Sequence, residues 1–406
     1  MRAGLYRHRR MATGRSPDPM YAGIRGTEIQ FDRPILFVRQ RYAPFGGGEI
    51  MLENIMAAFA ARQRPVAVLS GDWPRNEGIE FIHCAGRRFP RSLRATSFAQ
   101  AACRKIAEMP PALVQSNDRL PCCDVFRAGE GVHAAYLAER RRFETRLGRA
   151  AMALSPFHRQ TLRLERATYA SPRLKAVIAI SKMVADDIVR HYDYPAQNVH
   201  HIPNGVDLDR FSPQLRQQHR AAVRARLDVD ENRSVVLFVG SGFARKGLLA
   251  LMKAVARLDG EPELWVIGHD SRANAFRQAG DRLGLGARLK MLGPQKDMLP
   301  WYGAADIAVL PSIYDPFGTV VIEAMASGLP AVVSTGCGAR ELVERFEPTL
   351  VCDAASESDL AAALAHALQL SSRPETAARV RAAAEHYDFN VMIKRMMALY
   401  ESLDLK

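Results

Sequence analysis

Val235-Val236-Leu237-Phe238-Val239-Gly240-Ser241-Gly242-Phe243-Ala244-Arg245-Lys246-Gly247 carries an apolar run into two closely spaced glycines and then into two adjacent cations. The run reads as a buried parallel strand, the glycines as a tight turn, and the residues after Arg245 as a helix. Gly240 and Gly242 let backbone N–H groups approach phosphate oxygens, and the helix start adds partial positive charge. Arg245 can fork onto two oxygens while Lys246 acts as a point charge. The stretch is a diphosphate site by its physics. A dinucleotide site is the rival reading, with Asp270 placed as the ribose-binding acid, but Arg245 stands where the third glycine of that fingerprint belongs.

Further strand patterns follow at Leu264–Gly268, Ile307–Leu310 and Ala331–Ser334, with helical patterns between them, so a doubly wound parallel sheet is expected. Val351 to Tyr387 reads as mostly helical, and Phe389–Leu403 as a terminal amphipathic helix. The first half repeats the alternation. Pro34–Val38 is a strand, Gly46-Gly47-Gly48 a loop, Glu49–Arg62 a helix and Val66–Leu69 the next strand; Phe81-Ile82, Ala112–Val114 and Ala176–Ile180 follow. The alternation ends where a strand runs into Pro203-Asn204-Gly205. The expected architecture is α/β: two doubly wound, Rossmann-like domains facing a central cleft. A basic tail (1–33) precedes the first domain (34–207); the second (208–384) is followed by a C-terminal helix (385–406) that packs back on the first domain.

A chain of 406 residues with 48% apolar and 24% charged content is globular. No run approaches the ~18 apolar residues of a membrane span, and the Arg-rich start lacks the apolar region of a secretory signal, so a cytoplasmic protein, peripheral at most to a membrane face, is expected. Cys84, Cys103, Cys122, Cys123, Cys337 and Cys352 show no metal-site spacing and read as buried or idle thiols of a reducing compartment. The net charge of +13 arises entirely before residue 211, which suits a phosphate-bearing partner.

The second chemical motif is Asp315-Pro316-Phe317-Gly318-Thr319-Val320-Val321-Ile322-Glu323. Pro316 and Gly318 set a turn, Thr319 is placed to cap a helix, and Glu323 follows in its second turn. Two carboxylates on a loop and a helix can accept hydrogen bonds from paired sugar hydroxyls. Taken alone, the stretch is equally a helix cap with one exposed glutamate.

Together the two motifs resemble the retaining nucleotide-sugar glycosyltransferases of family four, which have the GT-B fold. Ala179-Ile180-Ser181-Lys182, Pro203–Asp207 and Met298–Asp306 fit the same family in the same order. Within it, Tyr42–Glu49 and the Arg-rich segment after Glu130 are most similar to the group around bacterial lipopolysaccharide core glucosyltransferase I. The resemblance implies that Arg245 and Lys246 hold the donor diphosphate and Glu323 the ribose. Asp315 falls at the position, usually Glu, that binds the transferred sugar, with Phe317 and Gly318 offering N–H groups to it. Gly47 and Gly48 belong to a glycine loop facing donor phosphates and acceptor. Glu130 falls near the acidic active-site residue of the core glucosyltransferases, while other members use a histidine here, which His133 would supply.

The reading is a hexosyltransferase moving glucose from a uridine diphosphate sugar to a saccharide or lipid-linked acceptor such as lipopolysaccharide core. It needs no cofactor and no metal: its Asp-x-Asp triplets, Asp207–Asp209 and Asp228–Asp230, lie in a polar interdomain stretch. A nucleotide-sugar 2-epimerase shares the architecture. A basic nucleic-acid-binding protein would leave the second-half motifs unexplained, so nucleic acid is not an expected partner. The segment Glu139–Arg166 interleaves arginines with apolar residues and is either a contact with an anionic membrane or a solvated helical hairpin.

Overall fold

The computed structural model describes residues 33–43, 46–74, 78–87 and 89–404. The expected basic tail, apart from Arg33, lies outside them. The first sheet contains β1 (Ile35–Val38), β2 (Val66–Ser70), β3 (Glu80–His83), β4 (Leu113–Ser116), β5 (Val125–Arg127), β6 (Ala176–Ala179) and β7 (Val199–His201), in the order β3-β2-β1-β4-β5-β6-β7. All its pairings are parallel. Around it lie α1 (Gly47–Ala60), α2 (Arg94–Ala107), α3 (His133–Arg140), α4 (Arg146–Leu154), α5 (Pro156–Tyr169) and α6 (Lys182–Tyr192).

The second sheet contains β8 (Val235–Val239), β9 (Glu263–Ile267), β10 (Leu289–Gly293), β11 (Ile307–Leu310), β12 (Ala331–Ser334) and β13 (Val351–Cys352), in the order β10-β9-β8-β11-β12-β13, again all parallel. Its helices are α7 (Leu215–Arg226), α8 (Leu248–Val255), α9 (Ala273–Arg282), α10 (Leu299–Ala304), α11 (Thr319–Ala326), α12 (Arg340–Phe346), α13 (Glu357–Ser371) and α14 (Thr376–Ala384). Both faces of the central strands are covered, so they read as unbroken apolar runs.

Three strands escape the sequence reading. β5 is three residues long and ends on Arg127, β10 is half-buried at an edge, and β13 opens the supposedly helical stretch with two residues. None offers a long apolar run.

The last helix, α15 (Phe389–Asp404), crosses back to the first sheet. Phe389, Met392, Ile393, Met396, Leu399 and Tyr400 complete a core with Ile35, Phe37 and the apolar face of α1. The crossing runs beside the outgoing one: Val206 donates to Tyr387 O at 2.8 Å, and Phe389 donates to Val206 O at 3.0 Å.

The cysteine reading needs correction. Cys103 of α2 and Cys122 form a disulfide, with Cα atoms 5.6 Å apart. Cys84, Cys123, Cys337 and Cys352 are buried free thiols. Cys122 and Cys123 are adjacent but diverge, Cys123 turning into the core, and sequence spacing cannot show that.

Candidate active site

In each sheet the chain leaves a central strand, winds outward, and returns on its other side. The strand order therefore reverses between β1 and β4, and again between β8 and β11. Loops diverge at such a point and leave a crevice beyond the carboxyl ends of the strands. The sequence-predicted residues of the second domain fall at one of these points, and an unpredicted charge cluster falls at the other.

After β8, Gly247 has φ +77°, and a Cβ there would lie 2.0 Å from Pro311 O, so only glycine lets this turn press on the loop after β11. The contact brings the two motifs together. Arg245 donates from Nη1 to Tyr314 O at 3.0 Å, and its own carbonyl accepts from Ile313 at 2.9 Å. Lys246 and Asp315, assigned in the sequence to different parts of a ligand, are ion-paired. Burial alone would push the Asp315 carboxyl up, but the charges of Lys246 and Arg245 and the Phe317 N–H hold it below the usual range. Gly240 packs against the Lys246 stem, and Gly242 faces open space.

Thr319 does not cap α11. Gly318 holds the N-cap position at φ +85°, and the Thr319 hydroxyl instead accepts a hydrogen bond from Asn204 Nδ2 at 3.1 Å. That leaves the first N–H groups of α11 without a side-chain cap, beside buried Phe317. Glu323 is not an exposed glutamate either. Its Oε2 accepts from the fully buried Tyr302 hydroxyl at 2.7 Å, and burial pushes its carboxyl up to about 7 despite that bond and the Arg210 charge.

At the opposing switch point, Arg39 follows β1 and binds three carboxylates: Glu49 of α1 at 2.6 Å, Asp118 after β4 at 3.0 Å and Glu130 at 2.9 Å. Arg119 meets the other Glu130 oxygen at 3.2 Å and Glu165 at 2.8 Å. Burial pushes the Glu130 carboxyl up, yet these two guanidiniums pull it below its ordinary value. Half its side chain stays exposed. The result is an ionised carboxylate, oriented on both oxygens and open to a ligand.

Glu165 is buried and accepts from the His133 N–H at 2.9 Å, capping α3 from a distant helix, while Tyr192 donates to it. The His133 ring lies among Tyr136, Phe157 and His158, with Nε2 3.0 Å from His158 Nδ1. Burial and the Arg119 charge push it down to about 4, so it is neutral at ordinary pH. Gly47 and Gly48 are exposed and open α1 instead of forming a loop; their N–H groups are among those a helix leaves unpaired. Pro44 and Phe45 before them lie outside the described residues.

Tyr314 joins the two halves. Its hydroxyl accepts from the Val132 N–H at 3.0 Å and donates to Asp187 at 3.1 Å. Gly131, at φ +69°, makes room for it: a Cβ there would stand 2.7 Å from the Tyr314 oxygen. Gly131, next to Glu130 in the first domain, thus lies against Tyr314 and Pro316, which flank Asp315 in the second. Arg39, Arg119, Glu165, Tyr302 and Tyr314 all escape the sequence reading, because their partners lie far along the chain and no local spacing marks them.

Asp207 and Asp230 of the acidic triplets cap their own turns, accepting from Asp209 and Asn232 N–H groups. The Arg-rich segment folds into α4 and α5, with Leu147 84% and Leu154 65% exposed and Phe157 exposed beside them. Arg142 is tied to Glu139 and, across the domains, to Asp353 at 2.7 Å. No helix among the described residues is long and apolar enough to cross a membrane.

Residues 45–210 match the family model "Glycosyltransferase Family 4", and residues 219–387 match "Glycosyl transferases group 1". The lipopolysaccharide glucosyltransferase WaaG of Escherichia coli K12 is 25% identical over 347 residues, covering 83% of this chain and 90% of its own. A D-inositol 3-phosphate glycosyltransferase of Xylanimonas cellulosilytica is 34% identical over 41% of this chain and 42% of its own length. Among solved structures, WaaG superposes with a TM-score of 0.77 at 23% identity, covering 89% of this chain and 98% of its own. Anabaena HepE in complex with UDP and glucose superposes with a TM-score of 0.67 at 21% identity, covering 91% of this chain and 100% of its own. The two family models meet between the two sheets, each takes in one half of the cleft, and the chain is a glycosyltransferase of family four with the GT-B fold.

Proposed function

We propose that the chain transfers glucose from a uridine diphosphate sugar, with retention of anomeric configuration, to a saccharide or lipid-linked acceptor such as lipopolysaccharide core. The observation that carries this reading is the meeting of the two domains beside the Lys246–Asp315 pair: Gly131, next to Glu130, packs against Tyr314 and Pro316, the residues on either side of Asp315. Cations for a diphosphate and carboxylates for hydroxyls stand together on the second domain, and Glu130 stands on the first. The named lipopolysaccharide glucosyltransferase relative supports the choice of glucose and acceptor.

In this reading Arg245 and Lys246 take the charge that develops on the leaving diphosphate, acting as donors already in place. Glu323 accepts from the ribose hydroxyls, Asp315 from the sugar, and the free N–H groups of the Gly318 turn complete the sugar subsite. Glu130, held ionised by Arg39 and Arg119, faces the reacting carbon or the acceptor hydroxyl. The Arg-rich α4 and α5 rest on an anionic membrane at its cytoplasmic face, which presents the acceptor.

Incubation with uridine diphosphate glucose, with and without lipopolysaccharide lacking its outer core sugars, tests the reading. Acceptor-dependent release of uridine diphosphate, with an α-linked product, is expected. A 2-epimerase would release the diphosphate, or a new sugar nucleotide, without acceptor, and that result would overturn it.

A further inference from the structure

The two chain crossings enclose a cavity of about 240 Å³, lined by Lys182, His201, Pro203, Arg345, His386, Tyr387 and Arg395. Lys182 opens α6 and His201 ends β7 in the first domain; Arg345 lies on α12 of the second. Pro203 and His386 belong to the crossings, and Arg395 to α15.

Lys182, Arg345 and Arg395 are exposed, and among the described residues none has a carboxylate within ion-pair distance. The nearby carboxylate, Glu341, is already engaged. It accepts from the Lys182 N–H at 3.0 Å, His201 Nε2 at 3.1 Å and the Tyr387 hydroxyl at 3.2 Å. Three cations from three separate elements thus line one cavity, none of them ion-paired among the described residues. Like charges so gathered repel, and an anion relieves them.

We propose that this hinge cavity binds a small soluble phosphate-bearing anion, a phosphate monoester or diphosphate, at a site separate from the donor cleft. Phosphate suits it because Arg345 and Arg395 can each fork onto two oxygens while Lys182 adds a point charge. The cations come from both domains, so a bound anion ties them together at the hinge. The site does not depend on the identity of the sugar donor.

The test is calorimetric titration of inorganic pyrophosphate into the full chain and two double variants, Arg345→Gln/Arg395→Gln and Arg245→Gln/Lys246→Gln. Wild type should show two binding events, and in the hinge variant the hinge event should weaken about tenfold or vanish while the cleft event stays, since each lost charged hydrogen bond is worth roughly a factor of ten. The cleft variant should retain a binding event of wild-type affinity. The hinge side chains are exposed, so melting curves of the hinge variant should match wild type without ligand and rise less than wild type with pyrophosphate, by the share that the hinge site contributes. No binding by the wild type, both binding events unchanged in the hinge variant, or complete loss in a cleft variant that still melts cooperatively overturns the proposal.

Discussion

Lys246 and Asp315 form an ion pair across the contact between the turn after β8 and the loop after β11. Both side chains are largely buried, so Lys246 is not the solvated cation that its place in a glycine turn suggests. Lys246→Ala should lower kcat/KM by about 10²-fold or more through lost stabilisation of the leaving diphosphate. It should also lower the denaturation midpoint, because an unpaired buried carboxylate costs about 3–5 kcal/mol. Lys246→Ala/Asp315→Asn should recover most of the stability and none of the activity. Equal stability of the single and double variants would show that the pair is not coupled.

On the function proposed above, in which Glu323 takes the ribose hydroxyls, the donor site has a pH signature. The Glu323 carboxyl titrates at about 7, above the ordinary 4.5, so the folded protein holds this proton where the unfolded chain has released it. Its contribution to stability is full below 4.5 and fades as pH rises through 7. Ribose hydroxyls donate to the carboxylate, so uridine diphosphate should bind more tightly at pH 8 than at pH 6 and expel a proton when it binds below 7. Calorimetry at pH 6.5 in two buffers of different ionisation enthalpy reads that proton directly, and Glu323→Gln should abolish it. Tyr302→Phe removes a bond to the charged form and should move the pH dependence upward.

Glu130 carries the opposite signature. Two guanidiniums hold it below its ordinary value, so kcat at saturating donor, where the Glu323 proton is already expelled, should stay flat on the acid side until the pH falls beneath about 4.5. Arg119→Gln should move that limb to higher pH, an effect no purely structural role would produce. Glu130→Gln should cost about 10²–10⁴-fold in kcat with little change in donor KM. His133→Gln, replacing a ring already neutral, should leave the profile unchanged.

Leu147, Leu154 and Phe157 are exposed on α4 and α5 among arginines. Flotation with anionic vesicles at low salt should carry the protein up, and the Leu147→Ser/Leu154→Ser/Phe157→Ser variant should stay behind. Neutral vesicles, or high salt, should weaken the binding. Flotation that ignores both lipid charge and these substitutions would leave α4 and α5 as a cover for the first domain.

Long apolar strands and glycine-punctuated turns are local features, and they made both sheets and the second-domain motifs legible. β8, with Gly240 to Lys246 after it, is such a case. Arg39 is the contrary one: an arginine after a strand looks like any surface cation until β4 and α1 bring Asp118 and Glu49 to it. Nothing local marks the hydroxyls of Tyr302 and Tyr314 either, and only the fold brings them to Glu323 and the Val132 N–H. Thr319 misled for a related reason, since its cap position was taken by a glycine whose left-handed backbone the sequence does not announce.

The return of α15 to the first sheet has a consequence for synthesis. A ribosome delivers residues 35–201 before the second domain, yet Ile35, Phe37 and Phe59 wait for Ile393, Met396 and Tyr400, which emerge only after it. The second domain, contiguous from Leu215 to Ala384, can close while the first still exposes an apolar face. The half made first is therefore finished after the other, and a chain stalled before Phe389 would carry a complete second lobe beside an unsealed partner.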